Sequence, residues 1–206
     1  MTGGTEPDPA ELHPSAPGGG PPEHRLGKLF PARLDDDQRA VYDAIAGGRR
    51  AQGPQLFPLV DAGGGLEGPF NAFLLQPRLG FAWQALGAAV RYETALSDRA
   101  REIAILVTAT ASDAAFEWRS HEPIGRHAGL TDHELDALRT SRFDVFADDD
   151  RLVAATVSAL CVRGDLDDEE YRRAVGAVGP AGVFELLTIV GYYQALAMQL
   201  RVFRVS

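Results

Sequence analysis

Three side chains suited to acid–base chemistry lie close together near the middle of the sequence: Glu102, Glu117 and His121. On a helix, residues four apart lie on one face, one turn from each other, so Glu117 and His121 can act together. A neighbouring carboxylate orients an imidazole, raises its basicity and makes it a proton carrier near neutral pH. We therefore predict that these three residues form one acid–base cluster.

Each of the three residues also has a purely structural interpretation. Glu102 falls in the first turn of a predicted helix, where the helix dipole favours a carboxylate without any function. The residues that follow it are uncharged, however, and a carboxylate beside an apolar core must be paired, hydrogen-bonded or shifted in pKa. Glu117 and His121 are also compatible with a surface pair that adds only ~0.2–0.5 kcal/mol.

Metal and thiol chemistry are disfavoured at this cluster. One histidine with two carboxylates binds iron or manganese only with further ligands, since the usual facial triad has two histidines. Cys161 is the only cysteine in the chain, which excludes an intrachain disulfide, a Cys-x-x-Cys pair and a cysteine-based zinc site. Nucleotide-binding glycine motifs and the His-Glu-x-x-His motif are also missing from the sequence. We predict no metal and no cofactor.

Two consecutive predicted helices, 98–111 and 114–128, must position the cluster. Ser97 is the expected N-cap of the first helix, whose interior is apolar on all sides and therefore central in the fold. Asp113 is the expected N-cap of the second helix, and Gly129 is expected to end it in the left-handed conformation. The sequence thus predicts a central helical hairpin.

The rest of the chain is interpreted as further helices around this hairpin. Apolar residues recur with helical spacing, and no stretch alternates as a half-buried strand does, so we predict an all-α protein. A long loop with three consecutive glycines occupies 49–67, and such loops are often lids or binding loops. The other predicted helices begin after Asp35 and Thr131 or occupy 68–75, 77–93, 149–162, 167–178 and 180–203.

The composition of the chain limits which domains and which binding partners are expected. The chain has 206 residues and a net charge of −9, with no cluster of lysines and arginines, so nucleic acid and anionic membranes are not expected partners. Residues 1–26 are rich in proline and glycine and are predicted to be a disordered tail, and 27–206 one helical domain. The apolar segment 183–203 is interpreted as a buried or interface helix in a cytoplasmic protein, because it contains Glu185, Gln194, Gln199 and Arg201.

Three motifs in order resemble the carboxymuconolactone decarboxylase family, a superfamily that also contains the AhpD-type alkylhydroperoxidase reductases. They are Leu96–Leu106, the segment Phe116–Glu122 with its Glu-Trp-x-x-His pattern, and Ala128–Leu135. The resemblance is strongest over 68–140, and the Gly191-Tyr192-Tyr193 segment also resembles longer members. It implies an AhpD-like helical bundle that assembles as a homotrimer or homohexamer, with active sites between helices and near subunit contacts.

The resemblance also separates two kinds of chemistry. The peroxidase branch has a glutamate, two cysteines three residues apart and a histidine. The corresponding residues here are Glu102, Ala114, Glu117 and His121, so no thiol is present and a thiol peroxidase is excluded. The decarboxylase branch lacks those cysteines and fits better.

The function that the resemblance implies is that of a cofactor-independent lyase, a carboxy-lyase acting on a small carboxylated lactone or related enolisable acid. In this prediction His121 donates or shuttles the proton, Glu117 orients it, and Glu102 holds the ring or assists loss of CO2. Two alternatives remain open. One is an isomerase, cyclase or dehydratase of a specialised pathway on the same scaffold, and the other is a non-catalytic oligomeric binding protein.

Four further residues are predicted to bind the substrate. Arg91 and Arg99 are candidates for its carboxylate, although either can instead pair with an acid on a helix surface. Asn71 is the polar residue of a short apolar helix, and Trp118 can stack on a ring or fill the core.

Overall fold

The computed structural model of the protein describes residues 24–52 and 56–205. Residues 1–23, which make up most of the predicted disordered tail, lie outside the described residues. At the beginning of the described chain, the Arg25 backbone N–H donates to the Phe203 carbonyl at 3.0 Å, so the two ends of the described chain meet.

The described residues are helical and contain no strand, which confirms the predicted all-α fold. Residues Val60 and Leu66 form an isolated antiparallel bridge in the connection before the second helix. The α-helices are α1 (Asp36–Ala46), α2 (Phe70–Phe73), α3 (Pro77–Tyr92), α4 (Asp98–Ala111), α5 (Ala115–His127), α6 (Asp132–Arg139), α7 (Asp148–Arg163) and α8 (Asp168–Phe203).

Local capping chemistry fixes most of the helix starts as predicted. The side chain of Ser97 accepts from the Ala100 N–H at the start of α4. Capping boxes, in which two side chains and two backbone N–H groups pair reciprocally, begin α1 at Asp35, α6 at Thr131 and α8 at Asp167. These starts follow from sequence alone because each cap uses residues only three apart.

The turn between α4 and α5 differs from the prediction. Asp113 was expected to cap α5, but the N-cap is Ala114, which makes no side-chain hydrogen bond. Asp113 instead has a φ of 49°, in the left-handed region that aspartate tolerates better than most residues. It thereby lets α5 fold back tightly along α4.

Helix α8 contains a break that the sequence predicted as a boundary between two helices. Gly179 has φ 71° and ψ 171°, which is non-helical, and Pro180 starts the second half. The second half carries the tyrosines of the site described below.

Helix α8 also contains an 18-residue window with a mean hydropathy of 1.6 and is long and apolar enough to cross a membrane. This is weak evidence for a membrane span, because core helices share this composition.

Helix α4 is the centre of the fold. Its residues from Glu102 to Ala109 are all buried, and it contacts α5, α6, α7 and α8. Helix α3 lies against α1, α2 and α8. This arrangement surrounds α4 with packed helices, so that the side chains on its buried faces are held in fixed positions.

Candidate active site

Two of the predicted residues form a buried pair between α4 and α5. Nδ1 of His121 lies 2.7 Å from Oε2 of Glu102, and both side chains are buried. Burial opposes ionisation of Glu102, but His121, Arg91 and Arg101 outweigh it and hold the pKa of this carboxyl below its usual value. Glu102 is therefore an anion that accepts a hydrogen bond from the imidazole, and it is Glu102, rather than the predicted Glu117, that orients the ring.

The second ring nitrogen of His121 meets a tyrosine from α8. Nε2 lies 3.2 Å from the Tyr193 hydroxyl, and the two rings are perpendicular with centroids 5.3 Å apart. Burial lowers the pKa of His121, and Arg91 and Arg50 lower it further, against the opposing effect of Glu102. A neutral imidazole whose Nδ1–H donates to Glu102 leaves Nε2 as an acceptor, so Tyr193 donates to it.

Glu117 lies one turn before His121 on α5 and faces a different environment. Burial raises the pKa of this carboxyl to about 7, while Arg91 and Arg50 act in the opposite direction. Its Oε1 is buried and has no hydrogen-bond partner among the described residues. A carboxyl group with this pKa is half protonated at neutral pH and can give a proton.

A cavity of about 420 Å³ joins these groups. Its wall includes Glu117, His121, Tyr192 and Tyr193, together with aromatic side chains from four segments of the chain: Phe57, Phe70, Tyr92 and Phe116. Glu102 does not line the cavity but lies behind His121. Polar groups that converge on one largely aromatic cavity are typical of a small-molecule site.

The cavity wall carries an excess of positive charge although the whole chain is acidic. Its cationic side chains are Arg49, Arg50, Arg91 and Arg101. Arg91 is almost fully buried, yet Tyr193, Tyr92, Glu102 and Glu117 outweigh that burial and raise its pKa, so it stays charged. Its Nε has no hydrogen-bond partner among the described residues. A buried, charged guanidinium with an N–H group that has no partner in the described chain favours an anionic ligand.

Comparison with known protein families finds a match within the chain. The model of the carboxymuconolactone decarboxylase family matches residues 77–160. This segment is a carboxymuconolactone decarboxylase domain. No curated protein matches the chain.

The carboxymuconolactone decarboxylase domain supplies only part of the cavity. It contributes Arg91 from α3, Arg101 from α4, and Glu117 and His121 from α5. Arg50, in the short 3₁₀ turn Arg49–Ala51, and the tyrosine pair of α8 come from outside the matched segment. The cavity therefore depends on the matched segment and on the parts of the chain that precede and follow it.

Three residues that were predicted to bind substrate lie away from the cavity, each with other partners. Arg99 donates to Asp150 at 2.7 Å and also pairs with Glu134. Asn71 accepts from the Leu29 backbone N–H at 2.9 Å. Trp118 is buried, and its Nε1–H donates to Glu122 at 2.7 Å. Of the four predicted binding residues, the structure brings only Arg91 to the cavity wall.

Arg50, Arg101, Tyr192 and Tyr193 line the cavity without having been predicted to do so. The 49–67 segment was recognised as a possible binding loop, and the tyrosines as part of a family-like motif. Neither signal indicates which side chain turns inward, because Tyr193 is 72 residues away from His121 in the chain. Among the described residues, no group of three or more His, Cys, Asp or Glu side chains is arranged to hold a metal.

Gly87 on α3 makes room for two of these residues, and this gives a first testable prediction. A Cβ at this position would lie 2.5 Å from Nη2 of Arg50 and would collide with the Tyr192 hydroxyl. Gly87→Ala is therefore expected to lower the free energy of unfolding by about 1–3 kcal/mol through overpacking. Urea denaturation measures the change.

Gly176→Ala is the matched control, because a Cβ added to this helical glycine on α8 would have no other atom within 4 Å. Alanine there is expected to be neutral or to add about 0.5–1 kcal/mol by helix propensity. Equal effects of the two substitutions would contradict the steric role of Gly87.

Proposed function

We propose that the protein is a cofactor-independent lyase that removes CO2 from a small carboxylated lactone or a related enolisable acid. The observation that carries this proposal is that a protonatable carboxyl, Glu117, and a charged buried guanidinium, Arg91, line the same cavity. Loss of CO2 leaves an electron pair that a conjugated carbonyl accepts as an enolate. The enolate needs a nearby cation and then a proton at carbon.

The geometry supports a different assignment of roles from the one predicted from sequence. Neutral His121 directs its N–H to Glu102 and not into the cavity, so it is not placed to donate a proton to substrate. Glu117 has a carboxyl oxygen without a partner among the described residues and a pKa near neutrality, so we assign the proton donor to it. Arg91 stabilises the developing enolate, and Glu102 balances the charge of Arg91 from behind the wall.

The substrate class follows from the charge and size of the cavity. Of the four arginines in the cavity wall, Arg49 pairs with Glu93 and Arg101 pairs with Asp98. Arg91 is the buried cation beside about 420 Å³ of space between aromatic rings. This combination favours a flat anion of one ring rather than a neutral or extended molecule. A non-catalytic binding protein would not need a carboxyl group held half protonated in such a place.

The direct test is CO2 release from carboxymuconolactone and related carboxylated lactones by the purified protein. We expect turnover by the wild type and weaker binding by Arg91→Gln, with KM raised at least tenfold. Arg33→Gln, which changes an arginine outside the cavity, serves as the control. Absence of CO2 release from every such lactone would refute the lyase.

We also propose that the protein works as a homo-oligomer, a trimer or hexamer, in the cytoplasm. The second half of α8 leaves four large apolar side chains exposed in the single chain: Phe184, Leu187, Met198 and Val202. Their spacing places them along one side of the helix, which is typical of a helix that packs against a partner. We name these four residues the α8 stripe.

The α8 stripe gives a second prediction. The double substitution Phe184→Glu and Met198→Glu is expected to convert the oligomer into folded monomers, because both side chains are exposed in the single chain. Light scattering after gel filtration measures the mass. Tyr171→Glu changes an exposed aromatic residue on α8 outside the stripe and is expected to leave the assembly intact. Monomeric wild type, or wild type that partitions onto lipid vesicles, would contradict this assignment.

A further inference from the structure

Glu102, His121 and Tyr193 form a carboxylate–imidazole–hydroxyl relay. The carboxylate lies 2.7 Å from Nδ1, and the hydroxyl lies 3.2 Å from Nε2 on the other side of the ring. In this order the carboxylate fixes the tautomer, and the second nitrogen can take the proton of the hydroxyl. The proposed lyase does not use this relay.

The far end of the relay reaches the cavity. Tyr193 lines it together with His121, whereas Glu102 lies behind. The Tyr193 ring is held at right angles to both His121 and Tyr192, with centroids 5.3 Å apart in each pair. The phenol is therefore fixed where it can meet a bound ligand, with an acceptor nitrogen behind its hydroxyl.

The relay and Glu117 face the same cavity in opposite protonation states. Neutral His121, paired with anionic Glu102, can accept a proton through Tyr193. Glu117, whose pKa burial raises to about 7, is protonated in part of the molecules at neutral pH and can give that proton. A site that contains a proton acceptor and a proton donor at fixed positions is suited to moving a proton between two atoms of one ligand.

We propose that this cavity also catalyses a 1,3-proton shift in an unsaturated lactone that carries a carboxylate, with Tyr193 taking the proton and Glu117 returning one. The proposal rests on the proposed function in one respect, since it places the same class of ligand against Arg91 and Glu117. It goes further by giving the relay a catalytic task and by adding an isomerase reaction.

The proton shift uses the relay at one carbon atom and Glu117 at another. The C–H bond next to the carbonyl breaks, its proton bonds to the Tyr193 oxygen, and the proton of Tyr193 passes to Nε2 of His121. The electron pair moves onto the carbonyl oxygen as an enolate, which Arg91 stabilises. Glu117 then forms a C–H bond at the γ-carbon, the carbonyl re-forms and the double bond shifts by one position. Transfer of one proton from imidazolium His121 to Glu117 through water restores the resting state.

The relay can be tested first without any ligand, by nitrogen NMR of histidine-labelled protein. We expect His121 to be the tautomer with a proton on Nδ1 and an unprotonated, hydrogen-bonded Nε2. Tyr193→Phe should shift the Nε2 signal toward that of an unbonded nitrogen and raise the pKa of His121, because the donor to the neutral ring is lost. Tyr171→Phe should change neither. A proton on Nε2 in the wild type would overturn the proposal, since the relay could not accept one.

The reaction is tested with a butenolide that carries a carboxymethyl group on the ring, incubated in D2O and followed by proton NMR. We expect wild-type protein to incorporate deuterium and move the double bond, and Tyr193→Phe to slow this by at least about a hundredfold. Tyr193→Phe should slow the shift at least tenfold more than it slows CO2 release from carboxymuconolactone. No deuterium incorporation by the wild type, or an equal loss of both reactions, would refute the proton shift. CO2 release separately decides the lyase.

Discussion

Glu102→Ala is expected to lower the free energy of unfolding by about 3–5 kcal/mol, because it removes one partner of a buried charge cluster. Glu102 is fully buried, and the substitution leaves the Nδ1–H of His121 without its acceptor. It also removes one of the anions whose charge acts on Arg91. Arg101 loses the second of its two carboxylate neighbours, since its Nε lies 3.7 Å from Oε1 of Glu102 and its Nη2 lies 2.9 Å from Asp98. Urea denaturation at pH 7 measures the loss.

The stability that Glu102 contributes depends on pH and is lost in acid. The pKa of Glu102 lies below its ordinary value of 4.5, so the folded protein binds fewer protons than the unfolded chain just below pH 4.5. The stability that Glu102 contributes is therefore complete above pH 4.5 and declines as the pH falls through its folded pKa. We expect the difference between wild type and Glu102→Ala to shrink in that range.

Two further variants separate charge from packing at this position. Glu102→Gln keeps the volume and an oxygen that can accept from His121, so it should destabilise less than alanine. Glu169→Ala removes a glutamate whose side chain is 67% exposed and is expected to change stability by no more than about 0.5 kcal/mol. Equal stability of Glu102→Ala and wild type would show that the buried cluster does not hold α4 and α5 together.

The parts of the fold that were predictable from sequence are those that local rules determine. The caps at Asp35, Thr131 and Asp167 each involve residues three positions apart, and the uniformly apolar interior of α4 marks it as central. The failure at Asp113 is instructive, because the same short polar side chain suits an N-cap and a left-handed turn residue equally well. Only the direction of the following helix decides between the two.

The candidate site was partly predictable for the same reason. Glu102, Glu117 and His121 share one hairpin, so helical spacing and family motifs brought them together. Which carboxylate holds the imidazole depends on the turn between α4 and α5, and spacing alone favoured Glu117. Arg99 carries the positive charge that an anion-binding residue needs, but its partners Asp150 and Glu134 compensate that charge. No local sequence pattern reveals this pairing.

Residues that come from distant segments could not be placed in advance. Tyr193 reaches His121 across 72 positions, and Arg50 enters the cavity from a segment that precedes the matched domain. Their positions depend on how α8 and the 49–67 connection pack on the hairpin, which is a property of the whole core. This explains why the sequence indicated which hairpin holds the candidate site but not which distant side chains complete the cavity.

Glu117→Gln is expected to make the protein more stable at neutral and higher pH while removing its activity. Burial raises the pKa of Glu117 from 4.5 to about 7, so the folded protein binds more protons than the unfolded chain between these values. The contribution of Glu117 to the free energy of unfolding of the wild type therefore decreases as the pH rises from 4.5 to 7. The decrease reaches up to about 3 kcal/mol, since each pKa unit corresponds to about 1.4 kcal/mol. Glutamine does not titrate and has no such loss.

The measurement is a pair of unfolding curves across this pH range, together with CO2 release from carboxymuconolactone. The stability difference between Glu117→Gln and wild type should move in favour of the variant from pH 4.5 to 7 and level off above it. The variant should lose about a hundred- to ten-thousandfold in turnover, because a positioned proton donor contributes that much. Wild-type turnover should itself fall about tenfold per pH unit above 7, as Glu117 loses its proton.

Glu169→Gln, at an exposed position, should reproduce neither change. A flat stability difference, or full activity in Glu117→Gln, would mean that this buried carboxyl is not held protonated for chemistry. Opposite signs of the two effects are the expected result for a carboxyl that destabilises the fold and is kept in the core for the proposed reaction, which needs its proton.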